Sequence, residues 1–290
     1  MPAAGRSWQA ALALCFNAFV WGVSWWPFRQ LQQAGLHPLW CTALVYAMAV
    51  VLIGTTRPRA WREMLAAPSL WVVALASGFT NASFNWAVTT GDVVRVVLLF
   101  YLMPLWAVLL AQPLLGERLR LPAALRVGLA LAGALVVLWP AEGGWPLPRS
   151  LPDLLALAGG FSFALNNVML RREAGRPEEA RALAMFCGGA LVAATIALSM
   201  GAAGGIPRPP APGLWIVGAT LLGSVFLLSN LALQYGAARL PANVTAVVML
   251  TEVLFASASA LALGGGALTP KVALGGALIL AAALLATVKR

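Results

Sequence analysis

The stretch ALAMFCGGALVAATIALSMGAAGGIP, residues 182–207, is 26 residues long and has no charged side chain. A helix needs about 20 mostly apolar residues to cross the hydrocarbon core of a bilayer. Further charge-free runs of this kind lie along the chain at residues 7–28, 30–56, 64–91, 96–116, 154–170 and 209–238. This pattern predicts a chain that crosses a membrane many times.

The composition of the 290 residues excludes a water-soluble globule. The chain is 61% apolar and 10% charged, with a mean hydropathy of +0.86, whereas soluble proteins carry about 25% charged residues. Collagen-like, disordered, disulfide-framework and nucleic-acid-binding classes are excluded as well. A membrane β-barrel would show short alternating segments, and this chain shows solid apolar runs instead. We therefore predict an all-α polytopic membrane protein.

Clusters of Pro, Gly and Arg divide the chain into ten predicted transmembrane helices, called helices 1–10 below. Their predicted bounds are residues 8–28, 37–56, 70–90, 93–115, 121–140, 151–171, 181–200, 213–235, 240–263 and 270–288. The connections between them are only a few residues long, so no extramembrane domain is expected. The first run lacks a small-residue cleavage site, so we expect it to remain as helix 1.

The basic residues predict the orientation of the chain. With a cytoplasmic N-terminus, 14 of the 19 basic residues lie on the cytoplasmic side, four lie on the opposite side, and Arg95 lies within helix 4. Because cytoplasmic loops carry the excess of Lys and Arg, both termini are predicted to lie in the cytoplasm. The net charge of +10 then reflects topology and contact with anionic lipid headgroups, so no nucleic-acid partner is expected.

The sequence offers no constellation for catalysis or metal binding. Cys15, Cys41 and Cys187 fall inside predicted helices, and His37 lies at the outer end of helix 2. We expect packing roles for the cysteines and an interfacial position for the histidine, with a proton relay as its alternative. No Walker motif, Gly-x-Ser-x-Gly motif or pair of catalytic carboxylates is present. We therefore expect neither an enzyme nor an ATP-driven pump, and no cofactor or metal.

The two halves of the chain resemble each other. At an offset of 149, the segment 80–87 lies over the segment 229–236, with hydroxyl, amide and aromatic side chains matched. Helices 1 and 6 align less well, at an offset of 142, with Trp21 over Phe163 and Arg29 over Arg171. Because five is an odd number of helices, such a duplication places the halves in opposite orientations. We predict two inverted five-helix repeats, residues 1–144 and 145–290, around a central cavity.

Several short motifs resemble those of one family. They are Trp21-Gly22 in helix 1, Trp86-Ala87 at the end of helix 3, Tyr101-Leu102-Met103-Pro104 in helix 4, Leu115-Gly116-Glu117 after it, and Gly128 with Gly133 in helix 5. Together they resemble the drug/metabolite transporter superfamily, and within it the EamA-type ten-helix exporters. The chain is also similar in general appearance to the bacterial aromatic amino acid exporters.

This resemblance implies a secondary transporter that exports small metabolites by alternating access, with helices 1–4 and 6–9 around the cavity and helices 5 and 10 outside. It also implies a hinge at Pro104 in helix 4. The family often has Glu-Pro in helix 9 and a second Leu-Gly-Glu after it. This chain has Glu252-Val253 and Gly264-Gly265-Gly266 there, which argues against a hinge in helix 9.

Side-chain amides in helices 3 and 8 are candidates for substrate contact. Asn81 and Asn85 share one face of helix 3, and Asn230 and Gln234 repeat this spacing in helix 8. Polar groups within spans normally face the interior of the bundle. Amides donate and accept hydrogen bonds, so they suit a zwitterion. Interhelical hydrogen bonding is the alternative role.

Helix 1 carries a stripe of polar and aromatic residues that includes Asn17 and Trp21. Aromatic side chains within spans are candidates for stacking on a flat substrate, and packing against lipid or protein is the alternative for each. The predicted substrate site comprises Asn17, Trp21, Asn81, Asn85, Trp86, Tyr101, Phe163, Asn166, Asn230 and Gln234.

Glu252 is the one acidic residue deep in a predicted span, about halfway along helix 9. A carboxylate in hydrocarbon is costly, so we expect Glu252 to be neutral or to exchange protons. The favoured role is a protonated or hydrogen-bonded Glu252 that ties helix 9 to a neighbouring helix. The alternative is a coupling site that binds a proton in exchange for the substrate. Arg95 lies three residues after Asp92, which predicts local pairing or snorkelling, with a guard at the outer mouth as the alternative.

The favoured function is export of aromatic or other neutral amino acids, because aromatic residues and uncharged amides suit such substrates. The alternative is efflux of cationic aromatic drugs, with Glu252 as the counter-charge and tryptophans as a cation–π cage. A non-transporting membrane scaffold or a membrane enzyme is a third, less favoured hypothesis. The expected partners are a small-molecule substrate, membrane lipid and, if transport is coupled, protons.

Overall fold

The computed structural model describes residues 3–116, 121–139, 147–237, 239–240 and 248–287, and these ranges are helices joined by turns and short connections, without strands. The helices are α1 (Ala3–Val23), α2 (Trp25–Gln33), α3 (Pro38–Thr56), α4 (Arg59–Leu65), α5 (Pro68–Thr90), α6 (Val93–Phe100), α7 (Met103–Leu115), α8 (Leu121–Leu138), α9 (Leu151–Arg172), α10 (Glu178–Ala202), α11 (Leu214–Ala237), α12 (Thr251–Leu263) and α13 (Pro270–Thr287). The all-α class is confirmed.

These helices follow the ten predicted segments closely. Predicted helix 1 corresponds to α1 and α2, and predicted helix 4 corresponds to α6 and α7. Each other predicted helix corresponds to one observed helix: helix 2 to α3, helix 3 to α5, helix 5 to α8, helix 6 to α9, helix 7 to α10, helix 8 to α11, helix 9 to α12 and helix 10 to α13. Among the described residues, six helical stretches are long and apolar enough to span a membrane, and α4 with α5, bent by 99°, makes a seventh candidate. Residues 241–247 of predicted helix 9, and Glu117 of the Leu-Gly-Glu motif, lie outside the described residues.

Two helical segments differ from the prediction. Helix 1 continues past residue 28 to Gln33, after a turn at Ser24. Arg29 was expected to end the span, but its guanidinium reaches backbone carbonyls, so the charge is satisfied within the bundle. The short helix α4 was not predicted, and it forms because Ala60 and Met64 bury themselves in a cluster that includes α10 residues.

The packing of the bundle has a twofold pattern. Six pairs of helices, numbered as in the predicted segments, pack against each other: 3 with 6, 8 with 1, 4 with 6, 9 with 1, 2 with 7 and 5 with 10. If each helix is replaced by the helix five places away in the chain, the pair 3–6 becomes the pair 8–1, and the pair 4–6 becomes the pair 9–1. The pairs 2–7 and 5–10 stay the same. Two equivalent halves would pack in this way. Their inverted orientation stays a prediction.

Contacts between connections place one set of helix ends together. The indole N–H of Trp40, at the start of helix 2, donates to the carbonyl of Pro207 between helices 7 and 8 at 3.1 Å. The backbone N–H of Val93 donates to the carbonyl of Gly265 between helices 9 and 10 at 3.0 Å. We call this the outer end of the bundle, following the predicted orientation, and the opposite one the inner end.

Candidate functional site

Helix 4 is interrupted near its middle. The segment α6 ends at Phe100 and α7 begins at Met103. Pro104 has no N–H, so it cannot donate to the carbonyl of Phe100 one turn earlier. The next donor, the N–H of Leu105, bonds to the carbonyl of Leu102 at 2.9 Å, a three-residue step that tightens the turn. The interruption lies where the hinge was predicted, and the hinge motion itself stays a prediction.

Helix 9 is interrupted at the equivalent place, although it lacks the proline. A turn at Leu250 precedes α12, and the N–H of Val253 bonds to the carbonyl of Leu250 at 3.1 Å. The segments α7 and α12 both span 13 residues and both end at a left-handed glycine, Gly116 with φ 71° and Gly264 with φ 69°. The lack of proline therefore does not prevent a turn in the backbone of helix 9, and the expectation that this position is not a hinge stays a prediction.

A hydrogen bond joins the two interruptions. The hydroxyl of Tyr101, in the break of helix 4, donates to Oε2 of Glu252 at 3.1 Å, in the first turn of α12. Glu252 is half-buried, while Leu254 and Leu261 on the opposite face of α12 are exposed to the bilayer side. The open part of the Glu252 side chain therefore faces the interior of the bundle. Among the described residues, no basic side chain forms an ion pair with this carboxylate.

An aromatic cluster surrounds the interruption of helix 4. The ring centroids of Trp21 and Phe84 are 6.4 Å apart, those of Phe84 and Phe100 are 4.6 Å apart, and those of Phe100 and Phe163 are 5.4 Å apart. Phe226 lies 4.7 Å from Trp21 in an edge-to-face arrangement. These five side chains come from helices 1, 3, 4, 6 and 8, so both halves of the chain contribute. We call them the central aromatic cluster.

Buried amides near this level leave acceptor atoms unused. Asn17 is fully buried, and its Nδ2 donates to the carbonyl and the hydroxyl of Ser229 at 2.9 and 2.7 Å, which ties helix 1 to helix 8. Within the described part of the chain, the buried Oδ1 atoms of Asn17, Asn85 and Asn166 have no hydrogen-bond partner. These three asparagines can therefore each accept a further hydrogen bond, which suits a ligand rich in N–H donors.

The amides of helix 3 bond to their neighbour, helix 2. Asn81 accepts a hydrogen bond from the hydroxyl of Tyr46 and donates to the carbonyl of Ser77 in its own helix. Asn85 donates to the hydroxyl of Thr42 at 3.0 Å. Bonds of this kind fit the alternative role of these amides, which is interhelical hydrogen bonding. The Oδ1 atom of Asn85 still has no partner among the described residues.

Two further predicted residues, Asn230 and Trp86, have other contacts. Asn230 donates to the carbonyl of Phe226 in its own helix at 2.9 Å, and Trp86 packs against His37 with ring centroids 5.2 Å apart, near the outer end. A convergence of the four amides of helices 3 and 8 does not appear among the described contacts. The side chains of Gln234 and Pro104 lie outside the described residues.

Arg95 pairs with a residue of helix 6 instead of its local neighbour. Its Nε and Nη2 donate to the two carboxylate oxygens of Asp153 at 2.7 and 2.9 Å, and its Nη1 donates to the carbonyl of Val137 at 2.8 Å. Asp92 instead accepts from the backbone N–H of Arg95 and caps α6. Local pairing of the guanidinium with Asp92 was therefore the wrong expectation, because a buried carboxylate on a facing helix offers a bidentate partner.

Other contacts join the halves at the outer end. Arg29 donates to the carbonyls of Thr89 and Gly91 at the end of helix 3, and to that of Gly265 at 3.4 Å. The carboxylate of Asp92 accepts from the backbone N–H of Ala267 at 2.8 Å. The outer connections of helices 3–4 and 9–10 are thus held together.

Sequence reasoning missed several of these residues. Phe84, Phe100 and Phe226 did not stand out because phenylalanine is common in spans, although Phe84 lies between the two helix 3 amides in sequence. Ser229 was matched to Thr80 by the repeat but was not recognised as the partner of Asn17. Asp153 was not considered at all, since it follows a connection and looked like part of the membrane surface.

Comparison with known proteins supports this architecture. Residues 8–139 match the EamA-like transporter family. An uncharacterized transporter of Pseudomonas aeruginosa, PA0485, is 34% identical over 152 residues, 49% of each chain. Protein RarD of Streptomyces exfoliatus is 27% identical over 57% of this chain and 52% of its own, and Protein RarD of Salmonella typhi is 26% identical over 57% and 55%. The matched part spans about half the length of each relative.

A solved crystal structure extends the likeness to nearly the whole chain. It superposes with a TM-score of 0.61 and covers 96% of this chain and 96% of its own, at 20% identity. At this level of identity the match shows a common fold. It covers both halves, including the second half that the family match leaves out.

Proposed function

Because residues 8–139 of this chain match the EamA-like transporter family, we propose that the protein exports small molecules across the bacterial inner membrane by alternating access. The observation that carries this proposal is the interruption of helices 4 and 9 at equivalent places, joined by the bond between Tyr101 and Glu252. Interrupted helices in corresponding positions of two repeats are typical of the substrate sites of secondary transporters.

For the substrate we propose aromatic or other neutral amino acids. The central aromatic cluster offers ring faces and edges for a flat apolar side chain. The unused acceptors on Asn17 and Asn166, together with the carboxylate of Glu252, suit the ammonium group of an amino acid. The substrate site therefore comprises the aromatic cluster with Asn17, Asn166, Tyr101 and Glu252.

A matched pair of substitutions on helix 3 tests the site. Phe84 is buried and lies in the aromatic cluster, whereas Phe79 on the same helix is 47% exposed to the bilayer side. Phe84→Leu removes a ring that would stack on the substrate, so we expect the KM for phenylalanine export in proteoliposomes to rise by up to roughly tenfold, the factor that one aromatic pair contributes. Phe79→Leu should leave KM unchanged.

An equal KM for both variants and the wild-type protein would remove the aromatic cluster from the substrate site. A rise in KM for Phe79→Leu alone would contradict the proposed position of the site. Both variants should be measured at equal amounts of folded protein, judged by elution from a size-exclusion column.

A second candidate function is efflux of cationic aromatic compounds. It is favoured by Glu252, whose carboxylate faces the interior without a basic partner among the described residues. A cation would neutralise this carboxylate, and the neighbouring rings would add cation–π attraction. In this case Glu252 is the counter-charge for the substrate.

Glu252→Gln separates the two candidates. Gln keeps the shape and can still accept the hydrogen bond from Tyr101, but it removes the negative charge. Efflux of an aromatic cation should then collapse, whereas export of a neutral amino acid, held in addition by amides and aromatic rings, should largely survive. Collapse of both activities in a folded variant would assign Glu252 a role in coupling transport to protons.

A further inference from the structure

We propose that the ion pair between Arg95 and Asp153 is an outer latch, which holds the outer end of the bundle closed in the resting protein and breaks when the substrate path opens outward. This inference rests on the proposed function, since a latch has a role only in a protein that opens alternately to its two ends.

The pair joins the two halves of the chain. Arg95 lies on α6, the outer part of helix 4, and Asp153 lies in the first turn of α9, at the outer end of helix 6. The two parallel bonds measure 2.7 and 2.9 Å, and bidentate Arg–carboxylate pairs are both strong and directional. A separation of helices 4 and 6 at their outer ends must therefore break this pair.

The surroundings of the pair fit a contact that opens and recloses. The side chain of Asp153 is 4% exposed, whereas that of Arg95 is 28% exposed, so water reaches the guanidinium from the outer end. Hydration of the freed charges then offsets part of the loss when the pair breaks. The bonds from Val93 to Gly265 and from Ala267 to Asp92 close the same end.

The positions equivalent to Arg95 and Asp153 in the other half of the chain do not hold charged residues of opposite sign. At the repeat offset of 142, the counterpart of Asp153 is Ala11, and the first 62 residues contain no Asp or Glu. At the repeat offset of 149, the counterpart of Arg95 is Val244. Helices 1 and 9 therefore cannot form a copy of this latch, so the ion pair is specific to the outer end of helices 4 and 6.

The competing explanation is a static tie, a contact that stays intact in every state of the protein. A static tie affects the folding of the bundle, whereas a latch also controls the access of water from the outer end. Access from outside in the absence of substrate is therefore the deciding measurement.

A single reporter thiol measures this access. Ser24 is 1% exposed and lies in helix 1 between Trp21 and the outer end, and Ser24→Cys changes its size little. The native thiols are first replaced by alanine: Cys15, Cys41 and Cys187. The readout is the rate at which a membrane-impermeant maleimide, added outside oriented vesicles, labels the reporter in the full-length protein.

We expect slow labelling with the pair intact. Arg95→Gln or Asp153→Asn should raise the labelling rate roughly ten- to hundredfold, the range expected for loss of hydrogen bonds between charged groups. Glu173→Gln is the matched control, because it breaks the exposed pair with Arg176, within the inner connection between helices 6 and 7. This control should label at the parent rate.

Unchanged labelling in folded Arg95→Gln and Asp153→Asn would overturn the latch and leave a static tie. If both variants fail to fold, Arg95→Lys decides, since it keeps the charge but loses the parallel bonds; labelling at the parent rate would then overturn the proposal. Labelling needs no substrate, so failure of the latch is distinguishable from failure of the transport function, which would show as absence of transport in liposomes.

Discussion

The crossing of helices 1 and 9 predicts a sharp effect of adding one methyl group at Gly22. This glycine lies in α1 where it crosses α12 beside the interruption of helix 9. A Cβ atom built on Gly22 would lie 2.8 Å from the carbonyl oxygen of Glu252 and 2.9 Å from the backbone nitrogen of Ala256. Both atoms belong to a helix backbone, so they cannot rotate away as a flexible side chain would.

The expected loss of stability follows from these distances. Ordinary van der Waals contact begins near 3.4 Å, so Gly22→Ala must push the helices apart by about 0.6 Å near Glu252. Overpacking of this kind costs about 1–3 kcal/mol, and the better helix propensity of alanine returns about 0.5–1 kcal/mol. The net loss is up to about 2.5 kcal/mol, or a decrease in apparent melting temperature of up to a few degrees.

The assay is thermal unfolding of the purified protein in detergent, with Gly128→Ala as the matched control. Gly128 lies within α8, and no described atom lies within 4 Å of a Cβ built there, so this variant should melt at or slightly above the wild-type temperature. Gly22→Ala should also slow transport, because it displaces the carbonyl of Glu252. A melting temperature for Gly22→Ala equal to that of Gly128→Ala would refute the close crossing of helices 1 and 9.

Three further tests, made with four substitutions, each address a single contact. Tyr101→Phe keeps the ring and removes the donor to Glu252, so transport initial rates should fall in a protein that melts nearly as the wild type; unchanged rates would remove this bond from the mechanism. Asn17→Ala and Ser229→Ala should show a coupling energy of about 0.6 kcal/mol, and at most about 1.7 kcal/mol, in a double-mutant cycle of unfolding; strict additivity would speak against their bond. Trp86→Leu should leave the KM for substrate unchanged, because the indole packs against an outer-end residue away from the aromatic cluster; a raised KM would return it to the site.

The positions of the helices could be predicted from the sequence because a helix that crosses a bilayer needs about 20 mostly apolar residues. Charge-free stretches and Pro and Gly clusters located eight of the ten segments within a few residues, and the first half of predicted helix 9 lies largely outside the described residues. The exception is helix 1, where Arg29 looked like an end of the span. Its guanidinium caps helix 3 through the carbonyl of Thr89, a tertiary contact that no local pattern contains.

The site was harder to predict because its contacts are long-range. The bond from Asn17 to Ser229 and the pair of Arg95 with Asp153 join residues far apart in sequence. Residue type alone indicated that Asn17 and Tyr101 matter, but not which neighbours they meet. Helix 9 shows the same limit: because the motif lacks proline, the sequence did not indicate the turn that the backbone makes at Leu250.

The most direct test of the central claim is a competition screen with the wild-type protein in proteoliposomes. Movement of labelled phenylalanine would be measured against an excess of each other amino acid and of an aromatic cation, with and without a pH gradient. The account predicts transport of phenylalanine that tryptophan and tyrosine inhibit most strongly. If neither amino acids nor the cation move in either direction, with or without the gradient, the proposed transport function is wrong.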